Sequence, residues 1–244
     1  MSRKYWDTSL NYKQPDTAQI RKNASLTEKK EKKKGKTLEP VIIEGRKIVT
    51  TWWGQAWCDN LEKYADYESR LERGTRYVRT GAVIDLKIQK GKVQARVQGR
   101  RKAPYKVEIR ISPLSEERCQ AAIEKCANKI ENLDRLMKGD FPEELKELFT
   151  GESGLFPRPQ EISFQCSCPD WALMCKHVAA VLYGIGHRFD EDPSLFFELR
   201  GVDMGRFVDI TMENRIETML ANVDRPSSRI IEGGNWAELF GVFG

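Results

Sequence analysis

The chain has 244 residues, of which 40% are hydrophobic and 32% charged, a make-up that suits a soluble protein of one large or two small domains. No apolar run approaches the ~20 residues that span a bilayer, and the opening MSRKYWDTSLNYKQPD lacks the apolar centre of a secretory signal. A cytoplasmic protein without membrane contact is therefore expected, in which cysteines serve as metal ligands or core rather than disulfides.

The net charge of +5 conceals an asymmetry. Residues 1–112 carry 27 Lys/Arg against 13 Asp/Glu, and residues 113–244 carry 14 against 23. The basic half suits nucleic acid, whose phosphates release counterions when neutralised. The plainer reading of residues 1–50 is a solvated tail. Residues 20–40, IRKNASLTEKKEKKKGKTLEP, offer few apolar anchors around their lysines, so residues 1–50 are expected to be a basic, flexible arm.

Residues 51–150 read as a basic α+β domain. Thr50 or Thr51 can cap a helix carrying Trp53, Trp57 and Leu61 at helical spacing, and these aromatics are expected to anchor the core. Three alternating runs follow. Ile84, Leu86 and Ile88, then Val93, Ala95 and Val97 after a Lys90-Gly91 turn, then Tyr105, Val107, Ile109 and Ile111 describe an antiparallel meander with one buried face. Its solvent face would present Lys87, Lys92, Arg96, Lys106 and Arg110. With the loop Arg100, Arg101 and Lys102, these are the candidate nucleic-acid contacts, against the alternative of an ordinary solvated face. Ser115 can cap a helix running to about Met137, with Ala122, Ile123, Cys126, Ile130 and Leu133 inward. A shorter helix begins near Pro142.

After a Gly/Pro-rich connection, residues 151–205 hold FQCSCPDWALMCKH, which gathers three of the six cysteines and one of the two histidines. Cys166 and Cys168, at i and i+2 of an extended segment, point the same way. Cys175 and His177 would diverge by about 200° on a helix, so they reach one ion only if Cys175 precedes the helix and His177 sits in its first turn. The apolar pattern VAAVLYGIG starts directly after His177, as this requires. Three thiolates and an imidazole favour tetrahedral zinc, and four protein ligands leave no open position for hydrolysis. One structural Zn²⁺ on Cys166, Cys168, Cys175 and His177 is expected, its net negative charge eased by the start of the following helix. Trp171 would cover it. Cys58, Cys119 and Cys126 read as core, and His187 as a partner for the end of the helix or a surface residue.

Cys-x-Cys, six residues, then Cys-x-His resembles the SWIM zinc finger. The likeness extends over about residues 52–205, through WWGQAWCDNLE, YKVEIRI, LFPRPQEI and DPSLFFELRG, to bacterial SWIM-finger proteins encoded beside Swi/Snf-type helicase-like ATPases. The resemblance implies a zinc-stabilised module that binds DNA or other proteins without catalysis of its own. It implies no contact residues.

The fold expected is α+β: a small antiparallel sheet with flanking helices, then a Cys3His finger, then a helical tail over residues 206–244 in which Trp236, Leu239 and Phe240 share a face. The function expected is a non-catalytic accessory protein that binds nucleic acid, DNA first, and acts with a helicase-like ATPase. The alternative is an adaptor that contacts only protein, through the acidic half and the NWAELFG tail. No Walker loop, carboxylate metal cluster or dinucleotide fingerprint points to an enzyme or to a small-molecule substrate.

Overall fold

The three alternating runs form strands β1 (Val83–Gln89), β2 (Lys92–Val97) and β3 (Tyr105–Ile111), joined as an antiparallel meander. The computed structural model describes residues 17–127, 139–151 and 154–221. Gly91 makes the first hairpin turn at φ +70°, a conformation costly for any residue with a Cβ. A register shift between Val83 and Asp85 marks a bulge at Ile84. A fourth strand, β4 (Ile162–Cys166), pairs with β3, setting Val107 opposite Cys166 and Ile111 opposite Ile162. The sheet order is β1-β2-β3-β4, so the strand that ends in the first metal-ligand cysteine belongs to the sheet. A division after residue 150 is one the sheet does not keep.

One face of this sheet is covered by a helix. Numbered along the chain, the helices are α1 (Thr17–Lys33), α2 (Trp52–Glu62), α3 (Glu68–Arg79), α4 (Glu116–Ala127), α5 (Lys146–Thr150), α6 (Lys176–Glu191), α7 (Ser194–Arg200) and α8 (Met204–Ala221). Helix α6 packs across all four strands and against α2 and α3, and buries every residue from His177 to Gly186. Small residues permit this. A Cβ on Gly74 of α3 would lie 2.5 Å from the Ala179 Cβ of α6, so the two backbones meet at van der Waals range only because Gly74 has none.

Beyond the far end of α6 lies an aromatic core. Trp53 stacks on Phe189 at 5.9 Å, Trp57 meets Phe189 edge-on at 5.0 Å, and Phe196 touches Trp53, Trp57, Phe149, Phe156, Phe189 and Phe197. The tryptophans expected to anchor the core do so. Thr51 caps α2, its hydroxyl accepting from the Gly54 N–H at 3.0 Å, and Asp190 of α6 accepts from the amides and hydroxyls of Thr50 and Thr51.

The lysine-rich stretch differs from expectation. Instead of a mobile arm, residues 17–33 are helical, with Ile20, Ala24 and Glu31 buried. Asn23 donates to the carbonyls of Gly99 and Arg100, Thr27 donates to Gln98, and Glu31 pairs with Arg96 at 3.2 Å. The chain then runs along β1: the Val41 N–H donates to Val83 O and the Leu86 N–H to Glu39 O, both at 2.9 Å. His187 of α6 holds this strap through the carbonyls of Ile42 and Ile48, and Arg188 through that of Pro40. The physical reason is a helical period of apolar positions, Ile20 and Ala24, that the eight charged residues of the same helix obscure in composition.

Behind the sheet, Glu161 binds two arginines. Its carboxylate takes Arg118 of α4 at 2.6 Å and the fully buried Arg200 of α7 at 3.1 Å. Ala122 and Ile123 of α4 are buried as expected, as are Cys58 and Cys119. Ile130, Leu133 and the Cys126 side chain lie outside the described residues, as does the expected tail face of Trp236, Leu239 and Phe240. Among the described residues no helix is long and apolar enough to cross a membrane.

Candidate metal centre and the adjoining basic face

Strand β4 ends at Cys166, and the chain turns so that Cys168 faces back toward the same point. The turn is pinned to β3 by a reciprocal pair: the Lys106 N–H donates to Ser167 Oγ at 2.9 Å, and the Ser167 N–H to Lys106 O at 3.0 Å. Cys175 is the N-cap of α6 with extended backbone (φ −73°, ψ 165°), and His177 lies in the first turn. This is the arrangement that an i, i+2 pair needs at a helix start.

The four donor atoms lie within 4.8 Å of one another. His177 Nδ1 is 3.8 Å from Cys166 Sγ and 4.0 Å from Cys175 Sγ. Zinc–sulfur bonds of ~2.3 Å make a tetrahedron with edges of about 3.8 Å, so the donors already stand near the corners of a zinc site. The set fits one structural zinc ion. Burial keeps the His177 imidazole neutral, the form that can ligate. The Cys166 thiol beside Cys175, with His177 and the Val178 N–H, lowers the Cys175 thiol from its ordinary value, which favours a thiolate at the helix start. Burial raises Cys168, as the Cys175 thiolate does Cys166. A metal binding here would displace the remaining thiol protons.

Trp171 does not cover the site. It is 79% exposed, its ring in a T-shaped contact with Tyr67 at 5.7 Å. The cover comes from tyrosines: Tyr105 stacks on the His177 ring at 4.2 Å and Tyr77 meets it edge-on at 5.3 Å. A flat, buried imidazole attracts aromatic neighbours more strongly than a loop of polar backbone does. The loop between the ligand pairs is held from α3 and the turn before it. Asp66 accepts from the N–H groups of Leu173 (2.9 Å) and Met174 (3.2 Å), and Arg70 pairs with Asp170 at 3.1 Å. Asp66 and Arg70 were not singled out from the sequence. They stand about 100 residues before the loop and look there like ordinary surface charges.

The opposite face of the sheet is open. Cross-strand register sets Asp85, Arg96 and Lys106 in one row, Lys87, Gln94, Glu108 and Gln165 in a second, and Gln89, Lys92, Arg110 and Ser163 in a third. Lys87, Lys92, Arg96, Lys106 and Arg110 thus share one face, which forms a hollow of about 760 Å³ reaching Cys166 and Ser167. Acids reach it too. Lys87 pairs with Glu39, Arg96 with Glu31, and both Lys92 and Arg110 with Glu108. Lys92 and Arg110 hold the Glu108 carboxyl below its usual range, as Arg96 does for Glu31. Of the loop residues, Arg101 lies over the Tyr105 ring at 5.5 Å, while Arg100 and Lys102 are exposed at its rim.

Residues 165–184 match the SWIM zinc finger family, a span that contains all four donors and the first half of α6. The chain is also similar to the uncharacterized protein Rv2102 of Mycobacterium tuberculosis, with 37% identity over 156 residues, covering 63% of this chain and 56% of that protein. This chain thus spans little more than half the length of that relative. No solved structure matches the chain.

Proposed function

We propose that this protein, which carries a SWIM zinc finger, is a cytoplasmic accessory factor that binds nucleic acid, DNA first, on the open face of its sheet, without catalysis of its own. One observation supports this most: five basic side chains from three strands share the face that runs into the zinc turn. Zinc on the four donors would hold that turn to the start of α6, while Ser167 pins it to β3, so the metal would shape the surface rather than react on it. The ion pairs with Glu31, Glu39 and Glu108 keep these side chains extended across the sheet. Phosphates would compete with the carboxylates for them.

Affinity should fall with salt, log–log slope about −0.9 per duplex phosphate contacted. Reversing Lys87, Arg101 and Lys106 together to Glu should weaken binding and reduce that slope by about 3. Arg96 is left intact in this test because it anchors α1 through Glu31. Binding indifferent to salt, or unchanged in the triple variant, overturns the reading.

A second reading, an adaptor for a helicase-like ATPase, draws support from α8. There Met212, Ile216, Met219 and Leu220 lie exposed at helical spacing. Co-purification that survives high salt and disappears in Ile216→Asp would favour it.

A further inference from the structure

Trp171 is the largest apolar side chain exposed on the described surface, and its position is rigidly specified. The loop that carries it is fixed at both flanks by metal-ligand cysteines and between them by the Asp66–Leu173, Asp66–Met174 and Arg70–Asp170 contacts. Tyr67, 42% exposed, meets the indole in a T-shaped contact, and Arg70 lies over the Tyr67 ring at 5.8 Å. An indole left open to solvent on a mobile loop would be unremarkable. Here two carboxylates and an arginine hold the loop between two pairs of metal-ligating residues, while the indole is left open to solvent.

The surroundings are basic. Helix α3, whose first turn bears Arg70, carries Arg73 and Arg76 beyond it, against Glu68 and Glu72. On the other side, Ser167 is hydrogen-bonded to Lys106 at the rim of the sheet hollow. Trp171 lies four positions after Ser167, so at ~3.5 Å per residue their Cα atoms are at most about 14 Å apart. That is roughly four nucleotides of a stacked strand at ~3.4 Å each.

We propose that Trp171, braced by Tyr67, is a stacking platform for unpaired nucleobases, so that the basic surface beside it takes single-stranded nucleic acid in preference to duplex. The proposal rests on the nucleic-acid reading above and narrows its ligand. An exposed indole face accepts any base, and neighbouring cations track the backbone, which is how sequence-tolerant single-strand sites are built. In a duplex the bases are already stacked on one another, and the ring has nothing to gain there.

The test uses the full-length, zinc-loaded protein with three labelled probes of about 20 nucleotides: oligothymidylate, a duplex, and an abasic strand of equal charge. Zinc content and melting temperature verify that Trp171→Ala is folded. The expected result is a roughly 5- to 100-fold loss of oligothymidylate affinity in Trp171→Ala, most of it restored in Trp171→Phe. Duplex and abasic-strand affinities should be unchanged. Equal losses on all three probes, or no loss on oligothymidylate, overturn the stacking role while leaving nucleic-acid binding in place. Loss of a protein partner with oligothymidylate binding intact overturns it too, in favour of an apolar protein contact. Wild-type protein that binds none of the probes at low salt fails the broader reading itself, a result distinct from the others.

Discussion

Each metal donor owes its place to its own local backbone. Cys166 ends a strand, Cys175 caps a helix and His177 opens it, so short-range rules orient the donors that the packing of β4 and α6 brings within 4.8 Å. That is why this site was legible in the sequence: its spacing and the apolar run after His177 carry the information. The tyrosine cover was not legible. Tyr77 and Tyr105 reach His177 from a different helix and strand, and an aromatic residue in an amphipathic element gives no hint of which ring it will meet. Metal analysis should find one zinc per chain, and Cys168→Ser should lose most of it along with several kcal/mol of stability, since binding a structural zinc is folding energy. Cys58→Ser, far from the donors in sequence and buried in the core, should keep the full zinc content. A Cys168→Ser protein that retained both metal and melting temperature would contradict the ligand assignment.

At the scale of elements, contacts between helices decide what local pattern cannot. Gly74→Val would force α3 away from α6 at Ala179, and a loss of about 1–3 kcal/mol in urea denaturation is expected from overpacking. Glu161 joins α4 to α7 through Arg118 and the buried Arg200. Truncating Glu161 to Ala leaves Arg200 without its carboxylate in the interior, a loss of about 3–5 kcal/mol. The same group has a pH signature. Burial pushes the Glu161 carboxyl up, but the Arg158 N–H, Arg118 and Arg200 together hold it below its ordinary value of 4.5. Its contribution is therefore complete above that value and disappears as pH falls through the lower folded pKa. In Glu161→Gln this part of the acid limb should be missing from a plot of stability against pH. The meander was legible because alternation is local, and α2 because its aromatics repeat at helical spacing. Strand β4 was not, since ISFQC is short and its partner β3 lies some fifty residues earlier. Helix α1 was hidden by its lysines, and only Ile20 and Ala24 mark the face it buries.

For the molecule as a whole, a single apolar core runs from Ile20 to Val202 and takes in both the sheet and the finger. Stripping the metal with a chelator should therefore cost more than a local loop. Near-ultraviolet dichroism from Trp53 and Trp57, and the far-ultraviolet signal of the sheet, should fall in one shared transition. Two separate transitions would show that the sheet and the finger fold independently. The pairing of β3 with β4 has a further consequence during synthesis. The meander is complete at residue 111, but the helix that shields Leu86, Val93, Val107 and Ile109 ends only at residue 191. At translation rates of about 5–20 residues per second, its apolar face emerges some 4–16 s before its cover. For that interval the nascent chain presents a sticky, unroofed sheet, which closes only when the helix over residues 176–191 packs down on it.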